Sequence, residues 1–533
     1  MPQTETSSYE IVFVGSGISC AAVLLKLIEK IALLAKESNA NKPVNIAVIE
    51  KAPNLWTGVP YGDRSSVNSL TITTLGDFVP VAERDEFYQW LKDHQNNWMN
   101  DLKDKGGPVA IAWIQRNLSS IKEDRWDEIY LPRYLFGNYL REKVEKKIKE
   151  SEQAGQIFIH IIKGRTIDIR QQEKDAYEIV GVIDNLREFT VHADKVVLCV
   201  GSPPMKFLDQ SISSRDENYI HDTYSPSLED NISKMKAVLQ SIEDKAKRNV
   251  LLLGSNASSL EFLYLVNGDK ELKGLLNKII VLSTSGELPR RITPGRFLKY
   301  HFENMEVLKS RKAFKADDLM IAVQNDLELA SVAGVNIADA HDALSDLLVE
   351  LISLLSKEEK EKFHCFSGAD FSKLIRRAGA EYRDAASSLE AAGKMMILKG
   401  VFTNLLKKPE SQKAYQLLYK EVSNGEVKQY PDIFSVVVNC GGFEQLSTSS
   451  SSPLIANLIK NGLCEINCTQ RGVKVSETFE ASERLYVMGP LLGGLFNSKG
   501  QLWHVENAKS IFHLSGLLVD EMMEHSFADV VSK

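Results

Sequence analysis

The sequence has no C-x-x-C pair, no excess of basic charge and no long apolar run free of charged residues. Each absence removes a class of function. The six cysteines, at positions 20, 199, 365, 440, 464 and 468, lack the spacing of a dithiol redox centre. Cys464 and Cys468 stand four apart with no second pair to complete a zinc site, so no metal is expected. Cys20, Cys199 and Cys440 lie in or beside apolar runs and read as buried packing residues. This usage fits a reducing cytoplasm. A net charge of -7 argues against a broad nucleic-acid surface. The Lys-rich stretch from Lys143 to Lys149 is balanced by Glu142, Glu145 and Glu150 and reads as a solvated helix face. Met1 to Ser8 is polar, and the apolar run after it carries Lys26, Glu29 and Lys30. That pattern predicts neither a signal peptide nor a membrane span. The remaining partner class is a small-molecule substrate, with the oligomeric state open.

A length of 533 residues suggests two or three domains, and 44% hydrophobic with 25% charged residues is the balance of a globular protein. The most informative stretch is Tyr9 to Leu25. Ile11 to Val14 is a β-branched and aromatic run, the composition of a buried strand. Gly15-Ser16-Gly17-Ile18-Ser19-Cys20 follows at once, and Ala21 to Leu34 has apolar residues at helical spacing. In this strand, turn and helix, Gly15 is needed for the tight bend. Gly17 allows backbone to approach a pyrophosphate, and the helix start offers N–H groups and positive dipole. Cys20 stands where Gly or Ala is usual and is still small. Val44 to Glu50 reads as the second strand, ending in a carboxylate where a ribose hydroxyl would sit, with Lys51 beside it. Glu50 comes about 30 residues after the turn rather than about 20, and the polar stretch Lys36 to Pro43 accounts for the excess. The alternative is an ordinary βαβ unit with a solvated Glu50.

Asn54 to Gly62 is a turn-rich loop with two aromatics, Trp56 and Tyr61, placed to cover a cofactor or to join the core. Phe87 to Leu91 starts a helical patch. Leu131 to Arg141 begins a helix with Pro132 near its first turn, running to about Lys149. Ile157 to Ile162 and Ile167 to Arg170 read as strands, and Tyr177 to Ile183 with Glu188 to Val191 as a β-meander. Lys195 to Gly201 is a buried strand ending in glycine. Asn249 to Phe262 then repeats the opening pattern, with its turn at Gly254, Asn256 and Ser258, and Lys278 to Ser283 as its second strand. Asn256 stands where a glycine would let a pyrophosphate approach. Arg290 and Arg291 follow that strand, where guanidinium groups could hold an adenosine 2′-phosphate; the alternative is a solvated basic turn. Residues 297–429 read as mostly helical. Pro431 to Gly442 and Arg484 to Gly494 return to buried, glycine-ended strands, and His504 to Met522 reads as a final helix.

These segments, taken in order, resemble the two-dinucleotide-domain FAD/NAD(P)-binding flavoprotein oxidoreductases, near the flavin N-hydroxylating monooxygenases. The segments that carry the resemblance are Val14–Cys20, Gly58–Gly62, Leu131–Gly137, Val197–Gly201, Leu253–Ser259, Val438–Gly441 and Tyr486–Pro490. The resemblance implies an α/β fold, with a Rossmann-like FAD-binding domain (1–201 plus 430–533) and a second, inserted Rossmann-like NAD(P)-binding domain (202–296). A helical insertion at 297–429 completes it. It also implies FAD contacts at Gly15, Ser16, Gly17, Ile18, Ser19, Glu50, Lys51, Tyr61 and Gly201, with Gly489 and Gln501 near the flavin ring. NADPH, or NADH, would dock at Gly254, Asn256, Ser258, Arg290 and Arg291. No acid–base constellation is visible, as expected where a flavin carries the chemistry. Asn68, Asn439, Asn497, Gln501 and His504 are candidate polar groups beside it. The activity implied is that of an NAD(P)H-dependent flavin monooxygenase on a small amine or similar metabolite. The alternatives are an FAD oxidoreductase without oxygen insertion, or a regulatory protein that keeps FAD without turnover.

Overall fold

A computed structural model describes residues 7–37, 42–172, 176–184, 187–209, 212, 216–408 and 414–531. Residues 38–41 of the polar stretch after the first helix lie outside these. Two sheets organise the chain, the first mixed with a parallel centre and the second parallel. The spine of the first runs Glu480–Ser482, Leu485–Val487, Arg187–Leu198, Ser7–Val14, Val44–Glu50, Ile157–Lys163. Val12 lies opposite Ala47 on one side and Val196 on the other. Ile11–Val14 and Ile46–Ile49 are buried throughout, the pattern of strands covered on both faces. The helices Ile18–Glu37 and Ala508–Val531 pack together, with Lys30 paired to Asp520 at 2.7 Å. Tyr177–Ile183 pairs antiparallel with residues 187–193, the expected meander, and Arg165–Gln171 extends it on the other side. The segments read as separate strands at 188–191 and 195–200 are one strand, Arg187–Leu198. Its first half pairs antiparallel with Tyr177–Ile183 and its second half parallel with Ser7–Val14.

The second sheet is parallel, in the order Met395–Lys399, Lys278–Ser283, Asn249–Leu253, Val436–Asn439, Tyr219–Ile220. This corrects two strand readings. Val436–Asn439, expected in the first sheet, lies beside Asn249–Leu253 in the second. Much of 395–429, expected to continue the helical insertion, is strand among the described residues. Met395–Lys399 closes the second sheet, and Val401–Lys407, Tyr415–Lys420 and Val427–Phe434 form an antiparallel sheet of their own. Short apolar runs do not by periodicity alone distinguish strand from buried helix, or one sheet from another. The helices between Glu303 and Leu374 enclose a core of their own around Met305, Leu319, Val323, Leu344 and Leu351. Ala380–Ala391 instead packs on Ala257–Gly268, where Tyr382 meets Tyr264 edge-on. Among the described residues no helix is long and apolar enough to cross a membrane.

Candidate functional site

The first turn is held in a conformation only glycine takes easily. Gly15 has φ +94°, and a Cβ there would sit 2.5 Å from the Cys199 carbonyl oxygen. Its N–H donates to the Ile49 carbonyl at 2.8 Å. The Glu50 carboxylate is tied to the same turn: Ser16 N–H and Oγ donate to Oε2 at 2.8 and 3.0 Å, and Ala52 N–H donates to Oε1 at 2.8 Å. The carboxylate is therefore fixed at the turn, with lone pairs left for a hydroxyl donor. Gly17 backs onto Gly58, where an added Cβ would be at an ordinary 3.5 Å. It leads directly into Ile18–Glu37, and the first N–H groups of a helix have no partner within the helix.

Four sequence-distant segments converge on this turn. Trp56 N–H donates to the Ser16 carbonyl at 2.7 Å. A Cβ on Gly137 would meet the Tyr61 carbonyl oxygen at 2.0 Å, so the helix Arg133–Gln153 leans on the 58–62 segment through glycine. Gly489, at φ +91°, lies against Ser19, whose Oγ would be 2.2 Å from an added Cβ. Gly201, at φ +77°, faces open space beside the strand end that covers Gly15. Lys51 is exposed. The Tyr61 ring is buried edge-on between Phe78 and Phe136, and burial pushes its hydroxyl up to about 12. Trp56 is buried as well.

The second turn follows the same backbone plan. Gly254 has φ +113°, its Cβ position lies 2.3 Å from the Cys440 carbonyl oxygen, and its N–H donates to the Leu282 carbonyl at 2.9 Å. The side chains differ. The second strand ends in Ser283, whose hydroxyl lies 2.9 Å from Ser255 and 3.0 Å from Ser285. The side chain of Asn256, the residue expected to crowd a pyrophosphate, is turned to accept a hydrogen bond from Arg376. The helix Ala257–Gly268 starts directly after Asn256, with Ser258 in its first turn. Arg290 and Arg291 form a two-residue strand beside Arg377–Ala378. Arg291 grips Asp384 with two bonds of 2.7 and 3.0 Å, whereas the Arg290 guanidinium has no hydrogen-bond partner among the described residues. Arg376 was missed from sequence because it lies 120 residues from the turn it serves.

Buried polar contacts join the two units. Arg133 binds the Glu261 carboxylate, with Nη2 to Oε2 at 3.0 Å, and also Ser65. Tyr224 Oη donates to Glu261 at 2.8 Å. Arg133 begins the helix that leans on the 58–62 segment, and Glu261 lies on the helix that starts at the second turn.

The other candidates divide. Asn68 donates to the Gly106 carbonyl at 3.0 Å, and buried Asn439 caps its own strand end through Lys206 and Gly441. Asn497 shapes the hairpin in which exposed Gln501 stands opposite Phe496. The loop after Gly489 is braced from two stretches of chain: His364 Nε2, in the helical insertion, lies 3.0 Å from the Gly494 carbonyl, and Asn467, beyond the insertion, donates to the Gly493 carbonyl at 2.7 Å. A disulfide joins Cys365 to Cys468 in the same brace. Its partners are 103 residues apart, too far for spacing to reveal the pair. Cys20, Cys199 and Cys440 are buried thiols as expected, and so is Cys464. His504 lies against Arg471 and Ser372.

A family model for FAD-NAD(P)-binding domains matches residues 12–203. An uncharacterized protein of Mycobacterium tuberculosis and its Mycobacterium bovis counterpart are 35% identical over 517 residues, covering 97% of this chain and 95% of theirs. The chain belongs to the family of these mycobacterial proteins. Its family fold is that of the two-dinucleotide-domain flavoproteins. The FAD-bound cadaverine monooxygenase of Erwinia amylovora superposes with a TM-score of 0.55 at 12% identity, covering 97% of this chain and 95% of that one. The ornithine N-hydroxylase of Kutzneria sp. 744 gives 0.51 at 13% identity, with 97% and 100% covered. The L-lysine 6-monooxygenase of Pseudomonas syringae gives 0.50 at 13%, with 97% and 98% covered.

Proposed function

We propose that this protein is an FAD-dependent, NADPH-reduced monooxygenase acting on a small amine-bearing metabolite. The observation that carries this reading is the pair of like-built turns, at Gly15 and Gly254, joined by a buried polar bolt in one chain. The fold is shared with enzymes named for ornithine, lysine and cadaverine. FAD fits the first unit: Gly17 leaves the pyrophosphate path clear, the following helix start supplies N–H donors, and Glu50 is fixed to receive a ribose hydroxyl. When bound, the flavin supplies hydride acceptance and oxygen activation. This chain's residues hold and shield. Gly489 brings its loop against Ser19 at the helix start, and His364 and Asn467 fix the loop's carbonyls from outside.

NADPH rather than NADH suits the second unit. A carboxylate at the end of its second strand would pair with a ribose diol and repel a 2′-phosphate. Ser283 stands there instead, and Arg290 is open beyond it. Four buried thiols fit a cytoplasmic enzyme, with the Cys365–Cys468 bridge as the exception. The test is NADPH consumption by the flavin-loaded protein with and without lysine, ornithine or cadaverine, under ¹⁸O₂. Amine-dependent consumption with labelled product supports the reading. Amine-dependent reduction without label assigns an oxidoreductase that inserts no oxygen, and no flavin reduction by NADPH or NADH assigns a non-catalytic flavoprotein.

A further inference from the structure

Several arginines among the described residues meet a carboxylate. Arg133 has Glu261, Arg116 has Glu381, Arg291 has Asp384 and Arg64 has Asp222. Two others do not. Arg376 follows the helix Gly368–Leu374 and bonds to Asn256 at the second turn. Arg471 precedes Gly472, whose added Cβ would strike the Leu491 and Gly493 carbonyls, so it stands against the loop that follows Gly489. Neither has an ion pair within 4.0 Å among the described residues, and Glu506 interacts with Arg471 only at longer range. Both guanidiniums are partly buried, and they feel each other: burial first, then Arg471, lowers the Arg376 pKa. Arginine nevertheless keeps its charge.

The third member of the group is His504. Arg471 Nη1 lies 2.8 Å from its Nε2 and 2.9 Å from its Nδ1, and Ser372 Oγ lies 3.2 Å from Nε2. Burial, then Arg471 and Arg376, holds the imidazole down at about 4. At neutral pH it is an uncharged spacer beside two cations. The result is a concentration of positive charge, drawn from three distant stretches of chain, with no carboxylate within 4.0 Å among the described residues. Bringing like charges together in a partly desolvated place costs free energy that an incoming anion would recover.

We propose that Arg376 and Arg471 form an anion cradle between the second turn and the loop after Gly489, for a phosphate or carboxylate group of the molecule bound there. Guanidinium forks match either oxyanion. A nicotinamide dinucleotide would present its phosphates as it runs from the second turn toward the loop, and a substrate would present a carboxylate from the loop side. The inference rests on the proposed function only for which molecule carries the anion.

The test uses the flavin-loaded full chain and three probes followed by calorimetry: NADP⁺, inorganic pyrophosphate and glutarate. Arg376→Gln and Arg471→Gln are compared with the wild type, with Arg471→Lys as the charge-keeping variant. Arg125→Gln, which removes a surface arginine paired with Glu123 and Glu128, is the control. If the anion is a dinucleotide phosphate, each Gln variant weakens NADP⁺ and pyrophosphate by about 10- to 100-fold, the range for a lost charge-assisted bond. Glutarate is then unaffected, and Arg471→Lys keeps most of the affinity. If the anion is a substrate carboxylate, the same loss falls on glutarate while NADP⁺ is unchanged. The cradle is overturned if neither pyrophosphate nor glutarate binds the wild type, or if folded Gln variants bind all three probes as the wild type does. A protein that binds pyrophosphate through these arginines yet never oxidises NADPH would sink the monooxygenase reading and leave the cradle standing. Amine-dependent turnover untouched by either Gln variant, with binding unchanged, would do the reverse.

Discussion

At the first turn Gly15 N–H closes onto the Ile49 carbonyl and Glu50 is bound back to Ser16. At the second, Gly254 N–H closes onto Leu282, but Ser283 takes the carboxylate's place and Asn256 is drawn aside by Arg376. The backbone is repeated and the side chains are not. Backbone geometry fixes that something with a pyrophosphate can lie across a helix start. The side chains decide which dinucleotide, and how it leaves. A carboxylate tied into its turn suits a resident cofactor, whereas serines and loosely committed arginines suit one that must come and go.

The largest effect should come from breaking the backbone plan itself. Gly15→Ala and Gly254→Ala each place a methyl group within 2.5 Å of a carbonyl oxygen at a positive φ. Strain and clash together should cost about 4 kcal/mol or more. The consequences should separate: Gly15→Ala loses flavin absorbance, whereas Gly254→Ala keeps it at low temperature and loses NADPH-driven reduction. Melting temperature and flavin content are the measurements. A Gly254→Ala protein that melts like the wild type would mean the two turns do not share a plan.

Next is the bolt between the turns. Glu261→Gln leaves Arg133 buried without its counter-charge, and removing one partner of such a pair costs about 3–4 kcal/mol. Arg133→Met combined with Glu261→Leu should recover much of that loss in a denaturant titration. The single change should also loosen the second unit relative to the first, seen as faster amide exchange in Ala257–Gly268 than in Ile18–Glu37.

Both turns were legible in the sequence because each is local: strand, glycine and helix fall within about fifteen residues. Membership of a sheet is not local. Val436–Asn439 and Leu485–Val487 are both apolar and both end in glycine, yet one covers Gly254 and the other pairs with the strand that covers Gly15. Nothing in either stretch says which carbonyl will face which turn. Arg376 and the Cys365–Cys468 bridge were invisible for the same reason, since their meaning lies in partners more than 100 residues away. Tyr61 was legible as an aromatic on a loop, but only the positions of Phe78 and Phe136 place its ring in the core.

The His504 environment predicts an acid limb confined to the side of the molecule near the second turn. Its folded-state pKa lies at about 4, depressed by burial, Arg471 and Arg376, against about 6.5 when unfolded. The neutral form is the one the fold accepts. Its stability is therefore fully present above pH 6.5 and is lost as pH falls toward 4, because only the unfolded chain takes the proton. The loss should reach about 2–3 kcal/mol. His504→Gln should flatten the stability profile between those pH values and leave flavin binding at the first turn untouched. An unchanged slope would remove His504 as its cause.

The smallest effect sharpens the comparison most. Arg290 and Arg291 are adjacent in sequence, and both were expected near a 2′-phosphate. Arg291 already grips Asp384 with both arms of its fork, so a phosphate would have to displace a satisfied, solvent-screened pair. Arg290 has no such claim on it. Arg290→Ala should therefore weaken NADPH by about 1.5–2 kcal/mol, one charge-assisted contact, and leave NADH within twofold. Arg291→Ala should change either cofactor by less than about 0.5 kcal/mol and act instead on the packing of Ala380–Ala391, since exposed pairs contribute little. Apparent affinities from flavin-reduction rates with both cofactors decide it. Equal losses for NADPH and NADH on Arg290→Ala would refute the phosphate contact. A larger NADPH loss on Arg291→Ala would mean that Asp384 gives up its arginine when the dinucleotide binds.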